Sequence, residues 1–354
     1  MKTSIYSLLI FAFCSACQKN NTATRGSLGI QTVDSLAVPA SVRALQAVSL
    51  DEIWFAGSEG VFGHTQDAGQ SWRIDSITTD STAPHFRSLA VTETATHLLS
   101  IASPALLFRS TDRGANWKIV YREDHPAAFY DAMQFWDDQY GIAMGDPTDG
   151  CLSVIRTEDG GANWEKVPCT QIPTAVEGEA AFAASNSNLA LQPGGKVWMV
   201  SGGAAARVYF SEDYGQNWQV YNSPIVSGGQ MTGIYTVDFY DEQAGIIFGG
   251  NWNEKATNRQ NKAITTDGGQ SWQLISDGSA PGYQSCVKYL PGGEGQQLIS
   301  CGIPGVHYSL DGGMSWDTLL TESYYTLSVA DSHTLWLAGN QKLAKVDLQK
   351  KGGE

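Results

Sequence analysis

Twelve side chains carry most of the chemistry this chain could perform. Asp131, Asp146, Glu177 and Glu179 supply carboxylates; Arg87, Arg207, Arg259 and Lys262 supply cations; Tyr130, Tyr235, Trp252 and Tyr283 supply aromatic surface. Two carboxylates about 5 to 9.5 Å apart across an open cleft could hydrolyse a glycosidic bond. The same set without such a pair makes a polar cleft with aromatic platforms, suited to holding a partner. Taken singly, each residue is also explained as a loop anchor or a rim charge. No metal site is expected: His64, His85, His97, His125, His307 and His333 are scattered without ligand spacing. The Asp146–Gly150 loop (DPTDG) lacks the acidic ladder of a calcium loop and reads as a turn. No cofactor is expected either, since no G-x-G-x-x-G lies between a strand and a helix.

The elements that must position these residues follow from a repeat. Six segments share Ser/Thr-x-Asp-x-Gly-x-x-Trp, with aspartates Asp67, Asp112, Asp159, Asp213, Asp267 and Asp311. Their spacings, 45, 47, 54, 54 and 44 residues, are those of propeller blades. Within a repeat, Arg87–Val91, Leu98–Ala102, Leu106–Ser110 and Trp117–Tyr121 read as four strands, A to D from the axis outward, between Gly, Pro and Asp turns. The repeated aspartates sit in the C–D hairpin, where a carboxylate accepts from turn N–H groups. Turn chemistry accounts for every fixed position, so these six are read as structural.

The chain ends set the expected blade number. Tyr325–Val329, Leu335–Gly339 and Leu343–Leu348 read as strands A, B and C with no D, and residues 31–36 (QTVDSL) match 72–77 (WRIDSI), a D strand. The expectation is an all-β, seven-bladed propeller of four-stranded antiparallel blades over residues 28–350, its last blade closed by the N-terminal strand. The D–A and B–C loops then share one face, the top, and the A–B and C–D turns share the bottom. The long top loops, Pro168–Ala180, Asn222–Ile234 and Gly249–Lys262, cluster around blades three to five and carry five of the twelve residues: Glu177, Glu179, Trp252, Arg259 and Lys262.

Residues 1–16 read as a leader: Lys2 is the positive start, and Ile5–Phe13 is apolar but too short to span a bilayer. Cys14-Ser15-Ala16-Cys17 resembles a lipobox, with Cys14 where an aliphatic residue is usual. Lipidation at Cys17, a flexible tether over 17–27 and a short tail at 351–354 are expected, so the membrane is met only through the anchor. This places the protein outside the cytoplasm, at the outer membrane by the habit of such proteins. The other mature cysteines, Cys151, Cys169, Cys286 and Cys301, are an even set in an exported chain. Each couple lies symmetrically about a hairpin turn, which predicts the disulfides Cys151–Cys169 and Cys286–Cys301. The net charge of −14 speaks against nucleic acid as a partner.

The repeat resembles the BNR or Asp-box repeat of sialidases, sortilin-type receptors and the photosystem II assembly and stability factor family. Phrases such as Phe129-Tyr130-Asp131-Ala132-Met133, residues 141–146 (GIAMGD) and residues 263–269 (AITTDGG) are most similar to the last group. That resemblance implies a seven-bladed propeller with a protein-binding or assembly role, and the chain is expected to be a monomer with an envelope protein or glycan as partner. The assembly factors present a basic patch to their partner, and this acidic chain shows no such cluster. A sialidase would need three arginines, a tyrosine nucleophile and an acid/base. Arg87, Arg207, Arg259, Tyr235, Glu179 and Asp131 could be cast so, but the Arg-Ile/Leu-Pro motif is replaced by Ala37-Val38-Pro39. The expected function is therefore a non-catalytic binding or assembly module. A glycoside hydrolase is the alternative, with a sialidase ranked beneath other carboxylate-pair enzymes. An oxidoreductase, as some relatives are labelled, comes third.

Overall fold

The computed structural model describes residues 27–79 and 83–351; the expected leader, Cys17, the tether before Ser27 and the tail beyond Lys351 lie outside them. Among the described residues every element is a strand except two three-residue 3-10 turns, Pro193–Gly195 and Trp252–Glu254. The architecture is an all-β propeller. Inner strands such as Ile53–Gly57 are buried at every residue, while outer strands such as Arg73–Ser76 are exposed at every residue. The core lies between neighbouring sheets, where Trp54, Phe55 and Trp198 are fully buried.

The blade count differs from the expectation. Counted as hydrogen-bonded sheets there are six blades, not seven, and two of the six hold six strands instead of four. The cause is a single strand, Ser27–Ala47, that belongs to two pairings. Its first half pairs with Thr334–Lys351, from Ser27 opposite Lys351 to Ala37 opposite Lys342. Its second half pairs with Ile53–Gly57, from Val42 opposite Gly57 to Ala47 opposite Ile53. The backbone stays extended through Pro39, with only a register shift between Ala37 and Ser41. The expected closing blade and first blade are thus one sheet. Thr334–Lys351 in turn merges two expected strands: it doubles back at Gln341 (φ 57°), and the Leu348 N–H donates to the His333 carbonyl at 2.6 Å. In the second six-stranded sheet, the short strands Glu179–Ala180 and Gly202–Gly203 add to the inner edge of Thr232–Phe239.

The six repeated turns are alike to the atom. In each, the Ser or Thr hydroxyl donates to the aspartate and accepts from the Gly N–H, as at Thr65, where the distances are 2.7 Å to Asp67 Oδ1 and 3.0 Å from Gly69. The residue before the Trp is always Ser or Asn. Its side chain donates to the second carboxylate oxygen: Ser71 to Asp67, Asn116 to Asp112, Asn163 to Asp159, Asn217 to Asp213, Ser271 to Asp267 and Ser315 to Asp311. Sequence reading left this position as arbitrary, although its restriction to two residue types was visible.

Blades are latched to one another by side chains that bond to the next inner strand's backbone. Gln46 grips Val91 from both sides, Nε2 to the carbonyl at 3.0 Å and N–H to Oε1 at 2.9 Å. Gln134 donates to Leu189, Gln192 donates to Phe239, Asp238 accepts from Tyr289 N–H, and Ser328 accepts from Ala47 N–H. Each such bond contributes on the order of 1 kcal/mol, so the ring is held by latches as well as by apolar packing.

Cys151 and Cys169 form a disulfide. Cys286 and Cys301 do not: both are buried free thiols, although they stand directly opposite. The N–H groups of Val287 and Tyr289 point away from the partner strand, to Thr236 and Asp238. Cys286 and Cys301 therefore occupy a hydrogen-bonded pair, where facing side chains stand farther apart than in the alternate pairs.

Candidate functional site

The expected top-face residues do not form one open cleft. They divide into three groups with different work.

The first group is a buried ion pair. Glu179 has no exposed side-chain surface and meets Arg207, whose side chain is 12% exposed. Glu179 also accepts from the Tyr209 hydroxyl at 3.0 Å and from Ser201 at 2.5 Å, and Arg207 donates to the Thr174 carbonyl at 2.9 Å. Burial works against the Arg207 charge, but the Glu179 carboxylate and Tyr209 outweigh it and hold its pKa above the ordinary value. The backbone here approaches so closely that a Cβ on Gly233 would lie 2.2 Å from the Gly202 Cα. Glycine is required there. Lys262 is likewise an anchor: fully buried, it donates to the Ser279 carbonyl at 2.8 Å and to Asn261, and burial lowers its pKa to about 8.

The second group surrounds a segment that sequence reading passed over. Residues 181–188 (AFAASNSN) cross the propeller axis as a plug, bonded to inner strands on all sides. Asn186 donates to Leu89 and accepts from Met133, both at 2.8 Å. Ser187 donates to Thr236, Ser185 donates to Ser285, and Thr326 donates to Ser185. From above, Arg87 donates to the Ala183 carbonyl at 2.7 Å and Arg43 to Ala184 at 3.3 Å. Phe182 stacks on Tyr235 with centroids 4.0 Å apart, and Tyr235 meets Tyr283 edge-on at 4.7 Å. Below the plug a cavity of about 220 Å³ remains, lined by Gln46, Gln134 and Lys288. Arg43 was missed by sequence reading and carries a buried Nε with no partner. Burial lowers its pKa, and burial with the neighbouring Arg43 charge lowers that of Arg87 to about 10. Tyr130 is buried beside Tyr121.

Beside the plug lie Asp131 and Asp146. Asp131 is fully buried, and neither carboxylate oxygen makes a well-formed hydrogen bond. Burial, then the Asp146 charge, pushes its pKa well above the carboxylate range. Asp146 accepts from the Ala181 N–H at 2.7 Å, and burial raises its pKa to about 6. It lines a cavity of about 380 Å³ between the Pro147–Gly150 turn and residues 175–180.

The third group is exposed: Glu177, Trp252 and Arg259. Trp252 is 40% exposed, with the Lys255 ammonium 4.0 Å from its ring centroid. These residues ride on loops stitched together by backbone bonds: Ala204 to Gly178, Gly228 to Gly203, Val226 to Gln260 and Trp252 to Met231. The Cys151–Cys169 disulfide fastens the roots of the same region.

A cavity of about 690 Å³ lies on the bottom face between turns. Three of its four carboxylates are engaged locally: Asp137 accepts from Gln139 and Tyr140, Asp138 from the Glu93 N–H, and Glu52 from the Trp54 indole. Among the described residues no group of three or more His, Cys, Asp or Glu is placed to hold a metal ion, and no helix is long and apolar enough to cross a membrane.

No family model matches the chain. In sequence it is similar to the photosystem II assembly lipoprotein Ycf48 of Synechococcus sp. (strain CC9902), 22% identical over 292 residues, 73% of this chain and 82% of that protein. Solved structures share its fold, among them two forms of YCF48. YCF48 bound to D1 peptide superposes with a TM-score of 0.65 at 16% identity, over 91% of this chain and 99% of that one. YCF48 from Cyanidioschyzon merolae gives 0.65 at 14%, over 89% and 98%. The resemblance to the assembly-factor group, read from the blade phrases, is met again in the sequence comparison, and the solved structures show the shared fold.

Proposed function

We propose that this chain is a non-catalytic protein-binding or assembly propeller, held at the cell envelope by a lipid on Cys17 and meeting its partner with the top-face loops. The observation that carries the reading is the stitched loop surface around Trp252. Three long loops and the short turn at Gly203–Ala204 are tied to one another by backbone hydrogen bonds, and they present an aromatic ring to solvent. A pre-ordered surface loses little entropy on binding, and an exposed Trp is a favoured anchor. The likeness to Ycf48, one solved form of which is bound to a D1 peptide, supports a polypeptide as partner.

The side chains that hydrolysis would need are engaged elsewhere. Asp131 is buried, Asp146 holds Ala181, Glu179 is neutralised by Arg207, and Arg87 is bonded to the plug. The test is capture of envelope proteins on the purified protein and on a Trp252→Ala, Arg259→Ala variant. Arg207 is left intact because its loss would disturb the fold. A protein held by the first and released by the second is the expected result. Capture of the same proteins by both would overturn the assignment of this face.

A further inference from the structure

Both ends of the strand Ser27–Ala47 lie at the bottom of the propeller. Ala47 pairs with Ile53, and Ile53 pairs with Thr65, the first residue of a repeated bottom turn. At the other end, Asp347 accepts from the hydroxyls of Thr32 at 2.6 Å and Thr334 at 3.3 Å. The Thr334 carbonyl closes an A–B turn, also at the bottom, by accepting from the Ala330 N–H at 2.9 Å. The strand that enters this turn is tied to Ala47, whose N–H donates to Ser328 Oγ at 2.9 Å. Thr32 and Ala47 are therefore at one level. The strand climbs to Ala37, corners there and descends from Val42, and Ser27 is where the chain from Cys17 joins the propeller at its lower rim.

The length of that chain decides which face can meet a bilayer. Cys17 stands ten residues before Ser27. A polar segment of this length spans roughly 17 Å on average and about 35 Å when fully drawn out. From Ser27 to Ala37 the strand covers ten residues, or about 33 Å. With the bottom toward the lipid, the tether is slack. With the top toward the lipid, it would have to run back up the outside of the sheet at close to full stretch, losing most of its conformational freedom. Tilting does not lower Trp252 either. It follows the strands of the sheet that holds Thr232–Phe239, and the sheet that holds Cys286–Tyr289 packs between that one and the sheet the tether leaves. The six repeated aspartates then face the headgroups, but repulsion from an anionic surface fades within about 8 Å at physiological ionic strength, well inside the slack of the tether.

Resting on the reading of Cys17 as the lipidated residue, we infer that the propeller is tethered bottom-down and that its top loops take a polypeptide segment standing clear of the lipid, not one embedded in it. The ring of Trp252 is held away from the headgroups by the height of the sheets, about 33 Å of strand. A membrane-embedded helix does not reach that height, whereas a soluble domain or an extended tail does.

The test is resonance energy transfer on the lipidated full chain, anchored in vesicles of phosphatidylethanolamine and phosphatidylglycerol that carry an acceptor dye on the lipid headgroups. A donor is placed by Gln70→Cys on a bottom turn or by Asn253→Cys beside Trp252, both exposed positions. The native thiols do not compete, since Cys151 and Cys169 are bridged and Cys286 and Cys301 are buried. Transfer from the bottom donor should exceed that from the top donor severalfold. Inserting about thirty Gly/Ser residues into the tether roughly doubles its average span and should bring the two together. Equal transfer with the native tether, stronger transfer from the top donor, or a difference that survives the insertion would each overturn the tethered orientation. A chain whose Cys17 carries no lipid, read by mass spectrometry, would remove the anchoring and the orientation together. Equal transfer on a lipidated chain removes the orientation alone and leaves the protein-binding reading standing.

Discussion

The two ends of this propeller are built on opposite plans. On the bottom face, one solution to one problem is repeated six times: a Ser or Thr, an Asp, a Gly and a Ser or Asn close each hairpin within seven residues. On the top face nothing repeats. Glu179 finds Arg207, Asn186 finds Leu89 and Met133, and Gly203 finds Gly228, each across a different distance in the chain. Local closure makes each bottom turn complete in itself, with single bonds to its neighbours such as Gly160 N–H to Gln139 and Glu93 N–H to Asp138, whereas long-range closure makes the top one connected body. Damage should therefore stay confined below and spread above.

The sharpest test of that contrast is Glu179→Ala. It strands the Arg207 guanidinium, 12% exposed, without its carboxylate. Breaking a buried pair from one side costs about 3–5 kcal/mol. Urea unfolding should show a loss of that size, and hydrogen exchange should rise across residues 174–207 instead of at Arg207 alone. A loss below about 1 kcal/mol, the range of an exposed pair, would mean that the top is not held as one body. Next in size is Asn186→Ala in the plug, which strips a buried carbonyl at Leu89 and a buried N–H at Met133 of their partners. Two stranded groups cost about 2–4 kcal/mol, and the same unfolding assay reads it.

The contrast also explains what could be read from the chain before its structure. The six turns were legible because their chemistry lies within one octet, where residue type and spacing are the mechanism. The Cys151–Cys169 bridge was legible for the same reason, since it spans one hairpin. Cys286 and Cys301 look equivalent in sequence, but the hydrogen-bond phase of their strand pair, set by Thr236 and Asp238 on a neighbouring sheet, is not written between them. Glu179, Arg207 and Lys262 were singled out as charged residues of the top loops, but each begins a strand, and what engages it lies elsewhere in the chain. The plug was invisible because Ala, Ser and Asn acquire meaning only from the strands around them. The blade count failed at Pro39, where an extended backbone runs on past the place at which a break was expected.

A smaller effect should mark the bottom face. Asp67 and Asp112 are held down to about 2, first by the side chain and then by the N–H of Ser71 and Asn116 respectively. A carboxylate with a depressed folded pKa stabilises above its unfolded value, and that contribution is lost as pH falls through the folded one. Asp112→Ala should therefore lower the melting temperature at pH 7 by less than Asn186→Ala does. The difference from wild type should shrink between pH 4 and pH 2. A difference that persists undiminished at pH 2 would show that packing, and not the carboxylate's hydrogen bonds, holds the turn.

The smallest stability change is expected where the functional change is largest. Trp252 is 40% exposed and its backbone N–H, not its ring, makes the bond to Met231. Removing the ring leaves the loop stitches in place, so Trp252→Ala should unfold within about 0.5 kcal/mol of wild type. An aromatic ring left partly open on a rigid surface, with Lys255 beside it, contributes little to the fold, and its full burial by a partner would contribute more. Loss of partner capture with unchanged unfolding would separate the working surface from the body that supports it. Capture lost only in step with stability would instead merge the two, and the connected top would then be a structural device with its binding surface elsewhere.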